Sequence, residues 1–300
     1  MRLGDLSDAS LRDALGGEGV ILATGPFRCR IASRTRGVFR GLRLLYPDFE
    51  VLDDGFCDFS IRVDRVKGLR GYWRPQISFY LDGFEPFKPL AADHAYPLLE
   101  WGMNWCIAGH AHHYLLLHAA VLERNGRAVV LPGEPGAGKS TLTAALALSG
   151  YRLLSDEMTI IDRDTGLLVP LTRPVSLKNK SIDIVRAFSP DAVLGEVAHD
   201  THKGSVAHLR PPPASVANAH VHAMPAFVVH PRWQEGSEAV LTPHEKSDAF
   251  MRTAGHAFNY EVLGSTGFDL MAGLIDRCEC YDFRYSRLPD AIAMFDALTQ

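Results

Sequence analysis

The clearest chemistry in this chain lies in Gly133-Glu134-Pro135-Gly136-Ala137-Gly138-Lys139-Ser140. The spacing, G-x-x-x-x-G-K-S, is that of a loop that wraps a phosphate. Its glycines let the backbone turn tightly and aim successive N–H groups at phosphate oxygens. Lys139 brings a mobile positive charge to the β- and γ-phosphates, and the Ser140 hydroxyl can ligate Mg²⁺. Thr141 extends the stretch expected to hold a nucleotide to 133–141. A helix that starts here adds the positive end of its dipole to the anion site. The flanking residues supply that setting. The apolar run Ala128-Val129-Val130-Leu131 reads as a strand, and Thr141 to Leu148 reads as a helix that stops at Gly150.

A second group follows the helix. Arg152-Leu153-Leu154-Ser155 is a short strand that ends in the acidic pair Asp156-Glu157. One carboxylate can hold the Mg²⁺ shell and the other can orient or deprotonate an attacking hydroxyl. Asp156 is the expected base or water-positioning residue, and Ser140, Asp156 and Glu157 are the candidate metal ligands. Phosphoryl transfer also needs cations around the moving group. Arg173 and Lys178, flanking Pro174-Val175-Ser176-Leu177, are candidates. So are Arg210 and Lys203, the latter beside Gly204 in a setting suited to a lid.

One histidine is aimed at the loop by a hairpin. Asn125-Gly126 lies between the apolar runs 114–122 and 127–131, a strong signal for a two-residue turn. That turn puts Val121 opposite Val130 and His118 opposite Gly133, beside the start of the loop. A histidine there can meet a γ-phosphate or a nucleophile's proton. His110, His112 and His113 are expected to be solvated.

The rest of the chain has to position these groups. Residues 1–95 read as a small, mostly β region with strands at Phe49-Glu50-Val51-Leu52, at 59–63 and at 76–81, and with no catalytic constellation. Residues 96–113 read as an amphipathic helix joining two regions, with Trp101 and Trp105 one turn apart and packed in the core. Further strands are expected at 152–154, 158–162, 226–230 and 281–285, and a last helix from Pro289 with Ile292, Met294, Phe295 and Leu298 on its apolar face. The stretch 199–222 is expected to be an irregular, mobile loop. The division is therefore 1–95 and 96–300 within an α/β protein. A hydrophobic content of 47% and a net charge of −4 fit a globular protein without a nucleic-acid partner. No apolar run has the length of a membrane span, and the N-terminus carries acids where a signal peptide is apolar. The five cysteines form no zinc pattern and are expected as thiols in the cytoplasm.

Taken together, His118-Ala119-Ala120-Val121-Leu122, the Asn-Gly turn, the phosphate loop and Arg152 to Glu157 resemble the catalytic core of HPr kinase/phosphorylase. The stretches 98–106 and 173–179 are similar to the subgroup called HPr-related kinase A. The resemblance spans about residues 96–180 and implies a phosphoenolpyruvate-carboxykinase-like P-loop fold. It also implies ATP with Mg²⁺ and phosphorylation of a hydroxyl, a serine of a peptide or small protein being the family's acceptor. By position, His118, Lys139, Ser140, Asp156 and Glu157 take the family's active-site roles. The family's double Asp is Asp-Glu here, Thr141 replaces an acid, and the downstream glycine-rich signature has no clear copy. Neither a phosphorylase reaction nor HPr as substrate therefore follows. A small-molecule hydroxyl acceptor and a nucleotide-binding regulatory module stay open, as does a homo-oligomer.

Overall fold

Alternating burial along residues 27–32 and 59–65 turns each segment into a strand with one face inward. The computed structural model describes every residue except Asp54, Lys67, 69–72 and Pro135. Contacts divide the chain into two compact units, 1–110 with 193–210, and 111–192 with 211–300. Both mix helices with sheets.

The first unit runs α1 (Asp8–Gly16), β1 (Val20–Thr24), β2 (Phe27–Ala32), α2 (Arg36–Leu45), β3 (Val51–Leu52), β4 (Phe59–Arg65), β5 (Gln76–Leu81), β6 (Leu90–Ala91) and α3 (Ala95–His110). The strands form one sheet in the order β3-β1-β2-β4-β5-β6, with only the β2–β4 pair parallel. The helices α1 and α2 accompany the strands of this region. Ser7 and Thr35 cap them by accepting the backbone N–H groups of Ser10 and Val38. Val38, Phe39, Leu42 and Leu45 give α2 a buried stripe at helical spacing.

The unit boundary falls at 110/111 rather than at 95/96, because α3 packs on β4 and β5. Gly102 lets α3 lie directly against the Phe79 ring, where no larger residue fits. Glu100, buried on this helix, accepts the hydroxyls of Tyr46 and Tyr96 at 2.7 Å each. Trp105 packs edge-on against Phe87 at 5.2 Å but stays partly exposed.

The second unit begins with β7 (Tyr114–Leu117), β8 (Ala119–Arg124), β9 (Arg127–Pro132), α4 (Lys139–Leu148), β10 (Arg152–Ser155), β11 (Thr159–Asp162), β12 (Leu168–Val169), β13 (Val175–Lys178) and α5 (Lys180–Phe188). Residues 193–210, with the antiparallel pair β14 (Ala198–Thr201) and β15 (Gly204–Leu209), belong to the first unit. The second unit resumes with α6 (Pro213–Ala217), β16 (Pro225–Trp233), β17 (Val240–Pro243), α7 (Lys246–Ala254), α8 (Tyr260–Leu263), α9 (Ser265–Arg277), β18 (Glu279–Tyr285) and α10 (Leu288–Leu298). The stretch 199–222 is thus not an irregular loop. It holds parts of a hairpin and a short helix, because Thr201 Oγ1 closes the hairpin on the Gly204 carbonyl and Pro213 starts α6.

The larger sheet of the second unit has the order β10-β8-β9-β16-β18-β17, and a smaller one the order β12-β11-β7. In the larger sheet β9, β16 and β18 run parallel, so their carboxyl ends share one edge. Asn125 and Gly126 both have positive φ, 55° and 76°, the left-handed pair of a type I′ turn. That turn sets Val121 opposite Val130, as its two-residue length requires. The expected strand 114–122 is broken at His118. Residues before it pair with β11 and residues after it with β9, because each half buries its apolar side in a different sheet. Val121, Val130 and Val228 from the larger sheet meet Met271 and Leu274 of α9 in the core. Among the described residues no helix is long and apolar enough to cross a membrane.

Candidate functional site

The loop after β9 is shaped by two left-handed glycines, Gly136 and Gly138, each with φ of 88°. Pro135 lies outside the described residues. Ala137 donates its N–H to the Glu134 carbonyl at 3.1 Å, and its own carbonyl accepts the Trp233 N–H at 3.0 Å. Tyr285 Oη donates to the Gly138 carbonyl at 3.0 Å. A Cβ on Gly138 would come within 2.6 Å of that hydroxyl and 2.9 Å of Trp233 Cβ, so only glycine fits. Gly138 is the N-cap of α4, and Lys139, Ser140 and Thr141 form its first turn. Backbone N–H groups in a first turn have no partner within the helix, and they gather at the positive end of its dipole.

Lys139 is 7% exposed, and its Nζ finds no hydrogen-bond partner among the described residues. Burial lowers its pKa to about 8, against the pull of Asp156 and Glu157. Asp156, 6% exposed, accepts the Ser176 N–H at 3.0 Å and the Ser140 hydroxyl at 3.4 Å, both on Oδ2. Its Oδ1 has no partner among the described residues. Burial and then the Glu157 charge raise the Asp156 carboxyl to about 6, although Lys139 and Lys178 oppose the rise.

Glu157 accepts a hydrogen bond from Lys178 Nζ at 2.9 Å. Burial works against the Lys178 charge, but Glu157 outweighs it and holds that pKa above the ordinary value. The adjacent acids therefore diverge as expected of neighbours on a strand, one toward α4 and the other toward Lys178 at the end of β13. Arg173 is buried on the segment leading into β13.

His118 sits at the break between β7 and β8, just beyond the last ladder pair, Ala119 with Pro132. Its N–H donates to the His256 carbonyl at 2.6 Å, and its ring stacks on Phe258 at a centroid distance of 5.8 Å. Burial, then Lys139, lower its pKa to about 4, which makes it a neutral imidazole at physiological pH. His110, His112 and His113 are exposed.

Two of the other cations are engaged within the first unit. Lys203 lies in the turn between β14 and β15 with Nζ 5.3 Å from the Trp101 ring centre, and Arg210 pairs with Asp48 at 2.6 Å.

The segment after α7 is what reading the sequence missed. His256 places Nε2 3.7 Å from a Glu134 carboxylate oxygen. Burial lowers its pKa, with Glu134 opposing. Asn259, itself buried, fastens this segment to β7. It donates Nδ2–H to the Tyr114 carbonyl at 2.8 Å and accepts the Leu116 N–H at 3.0 Å. The end of α7 is tied to the sheet as well. Arg252 pairs with Asp282 at 2.6 Å, and Thr253 Oγ1 lies 3.4 Å from His230 Nε2. No local signal in residues 250–260 announces this return to the loop.

No protein-family model and no curated protein matches the chain. Among solved structures it is similar to the HPr(Ser) kinase/phosphatase from Coxiella burnetii. The identity is 13% and the TM-score 0.29, over 61% of this chain and 96% of that one. This is a distant structural relationship.

The donor set fits a phosphate with a divalent cation. Among the described residues Lys139 presents a buried ammonium without a hydrogen-bond partner and Asp156 an oxygen in the same condition, and the loop makes a turn that a side chain on Gly138 would block. Among the described residues no three His, Cys, Asp or Glu side chains are grouped to hold a metal. A cation here would be of the Mg²⁺ kind, which takes one or two protein oxygens and completes its shell with phosphate and water.

Proposed function

We propose that the protein is an ATP- and Mg²⁺-dependent phosphotransferase that moves a γ-phosphate to a hydroxyl, the acceptor being a serine of a peptide or small protein. One observation carries this reading: the buried Lys139 ammonium at the first turn of α4, without a hydrogen-bond partner among the described residues, with Asp156 beside Ser140. The domain is read as a P-loop nucleotide domain of the HPr kinase and phosphoenolpyruvate carboxykinase type, with β9, the glycine loop and α4 as its phosphate cradle. The serine acceptor is supported by the sequence resemblance alone. Cysteines present as thiols favour the cytoplasm.

In this reading, residues 133–141 bind the phosphates through backbone N–H groups, and Lys139 spreads its charge over the β- and γ-phosphates. Ser140 and Asp156, with Glu157 next to it, would hold Mg²⁺, which supplies charge neutralisation on the phosphate oxygens. The acceptor oxygen forms the new bond to the γ-phosphorus and the β–γ bridging bond breaks, so that ADP leaves. The acceptor's proton passes to the Asp156 carboxylate, which lies beside Ser140 at the start of α4. Neutral His118 offers a hydrogen bond to the moving group without adding a charge. Lys178 fixes Glu157, and Arg173 and Lys178 add positive charge where the phosphoryl group passes.

The test is γ-labelled ATP with Mg²⁺ and cell extract divided into small-molecule and macromolecular fractions, with Lys139→Ala as the blank. Label on protein or peptide is the expected result. Label on a metabolite would replace the acceptor class, and label in neither fraction above the blank would refute phosphotransfer and leave a regulatory nucleotide-binding module.

A further inference from the structure

The edge of the sheet that carries the loop also carries an aromatic side chain with no role in the core. Trp233 ends β16, and its backbone N–H is bonded to the Ala137 carbonyl inside the loop. Its Cβ lies 2.9 Å from where a side chain on Gly138 would begin. The indole N–H donates to the Ser286 carbonyl at 3.0 Å, just past the end of β18. The residue is thus held from two sides, yet 48% of its surface is open. That open surface is therefore free to meet a ligand while the position of the side chain is fixed.

Its place in the topology narrows what the exposed ring could meet. Because β9, β16 and β18 are parallel, Trp233 and Ser286 stand at carboxyl ends immediately beside the phosphate loop. Ligands of open parallel sheets lie across such ends. A donor whose phosphates sit on 136–140 extends the rest of its length over this edge.

We infer that Trp233 is the stacking platform for the nucleobase of the phosphate donor, so that the site takes a nucleoside polyphosphate in preference to an inorganic one. This rests on the phosphate-donor reading above. Every base offers a π-face, so the platform favours nucleotides as a class and discriminates weakly among bases.

The test compares Mg²⁺-dependent binding of ADP and of inorganic pyrophosphate by titration calorimetry, for the whole chain and for Trp233→Ala, Trp233→Phe and Lys139→Ala. Trp233→Ala is expected to weaken ADP about tenfold while pyrophosphate stays within about twofold, and Trp233→Phe to keep most of the ADP affinity. Fluorescence gives an independent reading. The four tryptophans are Trp73, Trp101, Trp105 and Trp233, and only the last lies in the second unit. ADP but not pyrophosphate should quench the emission, and Trp233→Phe should remove that quench. Unchanged ADP affinity in Trp233→Ala, equal loss of both ligands without an ADP-specific quench, or equal wild-type affinity for both would overturn the platform. Wild type binding neither ligand, or Lys139→Ala binding both normally, would bring down the phosphate-site reading and the platform with it.

Discussion

Replacing Asp156 by Asn should stabilise the ligand-free protein while ending phosphotransfer. Asp156 is 6% exposed and carries one carboxylate oxygen without a partner among the described residues, so its ionised form is costly in the fold. Its pKa rises from 3.8 to about 6. A carboxyl whose folded pKa lies above the unfolded one favours the fold at low pH. That contribution is lost as pH climbs through the folded value. A rise of that order costs the wild type about 3 kcal/mol at pH 7.5 but less than about 1 kcal/mol at pH 4. The amide of Asn has the same shape, still accepts from the Ser176 N–H, and never ionises. The stability gain of Asp156→Asn over wild type should therefore grow by about 2 kcal/mol between pH 4 and pH 7.5. Urea unfolding without nucleotide, followed by far-ultraviolet circular dichroism at several pH values, measures it. A difference that is constant across that range would refute the argument, because any effect of shape or packing alone does not depend on pH.

Two further outcomes follow from neighbouring groups. Lys178→Met leaves Glu157 without its 2.9 Å partner and removes a cation from the site. The turnover number should fall about a hundredfold, with a smaller change in the KM for ATP. Equal steady-state rates in variant and wild type would take Lys178 out of the machinery. His230 is 3% exposed, and burial followed by the Arg252 charge lowers its pKa to about 3. The unfolded chain thus takes up a proton near pH 6.5 that the fold rejects, and this group alone should cost about 1.4 kcal/mol of stability per pH unit on acidification from 6 to 4. His230→Leu should flatten that part of the pH–stability profile in urea titrations, and an unchanged slope would show that the acid sensitivity lies elsewhere.

Much of what surrounds the site was legible because it depends on neighbours in the chain. Asn125-Gly126 implies a left-handed two-residue turn, which sets the register of Val121 against Val130 whatever the rest of the fold does. Gly136, Gly138 and the helical run to Leu148 specify a strand, a tight loop and a helix by backbone freedom and apolar spacing. The run 76–81, rich in apolar residues and stopped by Asp82-Gly83, sets a strand with the bounds expected. The caps at Ser7 and Thr35 are equally local, each a side chain accepting an N–H three residues on.

Tertiary structure alone decided the rest. Whether 114–122 is one strand or two depends on which sheet buries each half, and that is a competition among distant apolar faces. Lys178 reaches Glu157 because β13 passes the acidic pair, its Ser176 N–H bonded to Asp156, and the approach of His256 to Glu134 accompanies Asn259 replacing a strand partner of β7. The unusual ionisation of Lys139, Asp156 and His118 belongs to the same class. Sequence supplies the titrating groups, but the shift comes from excluded water and from charges brought together by folding.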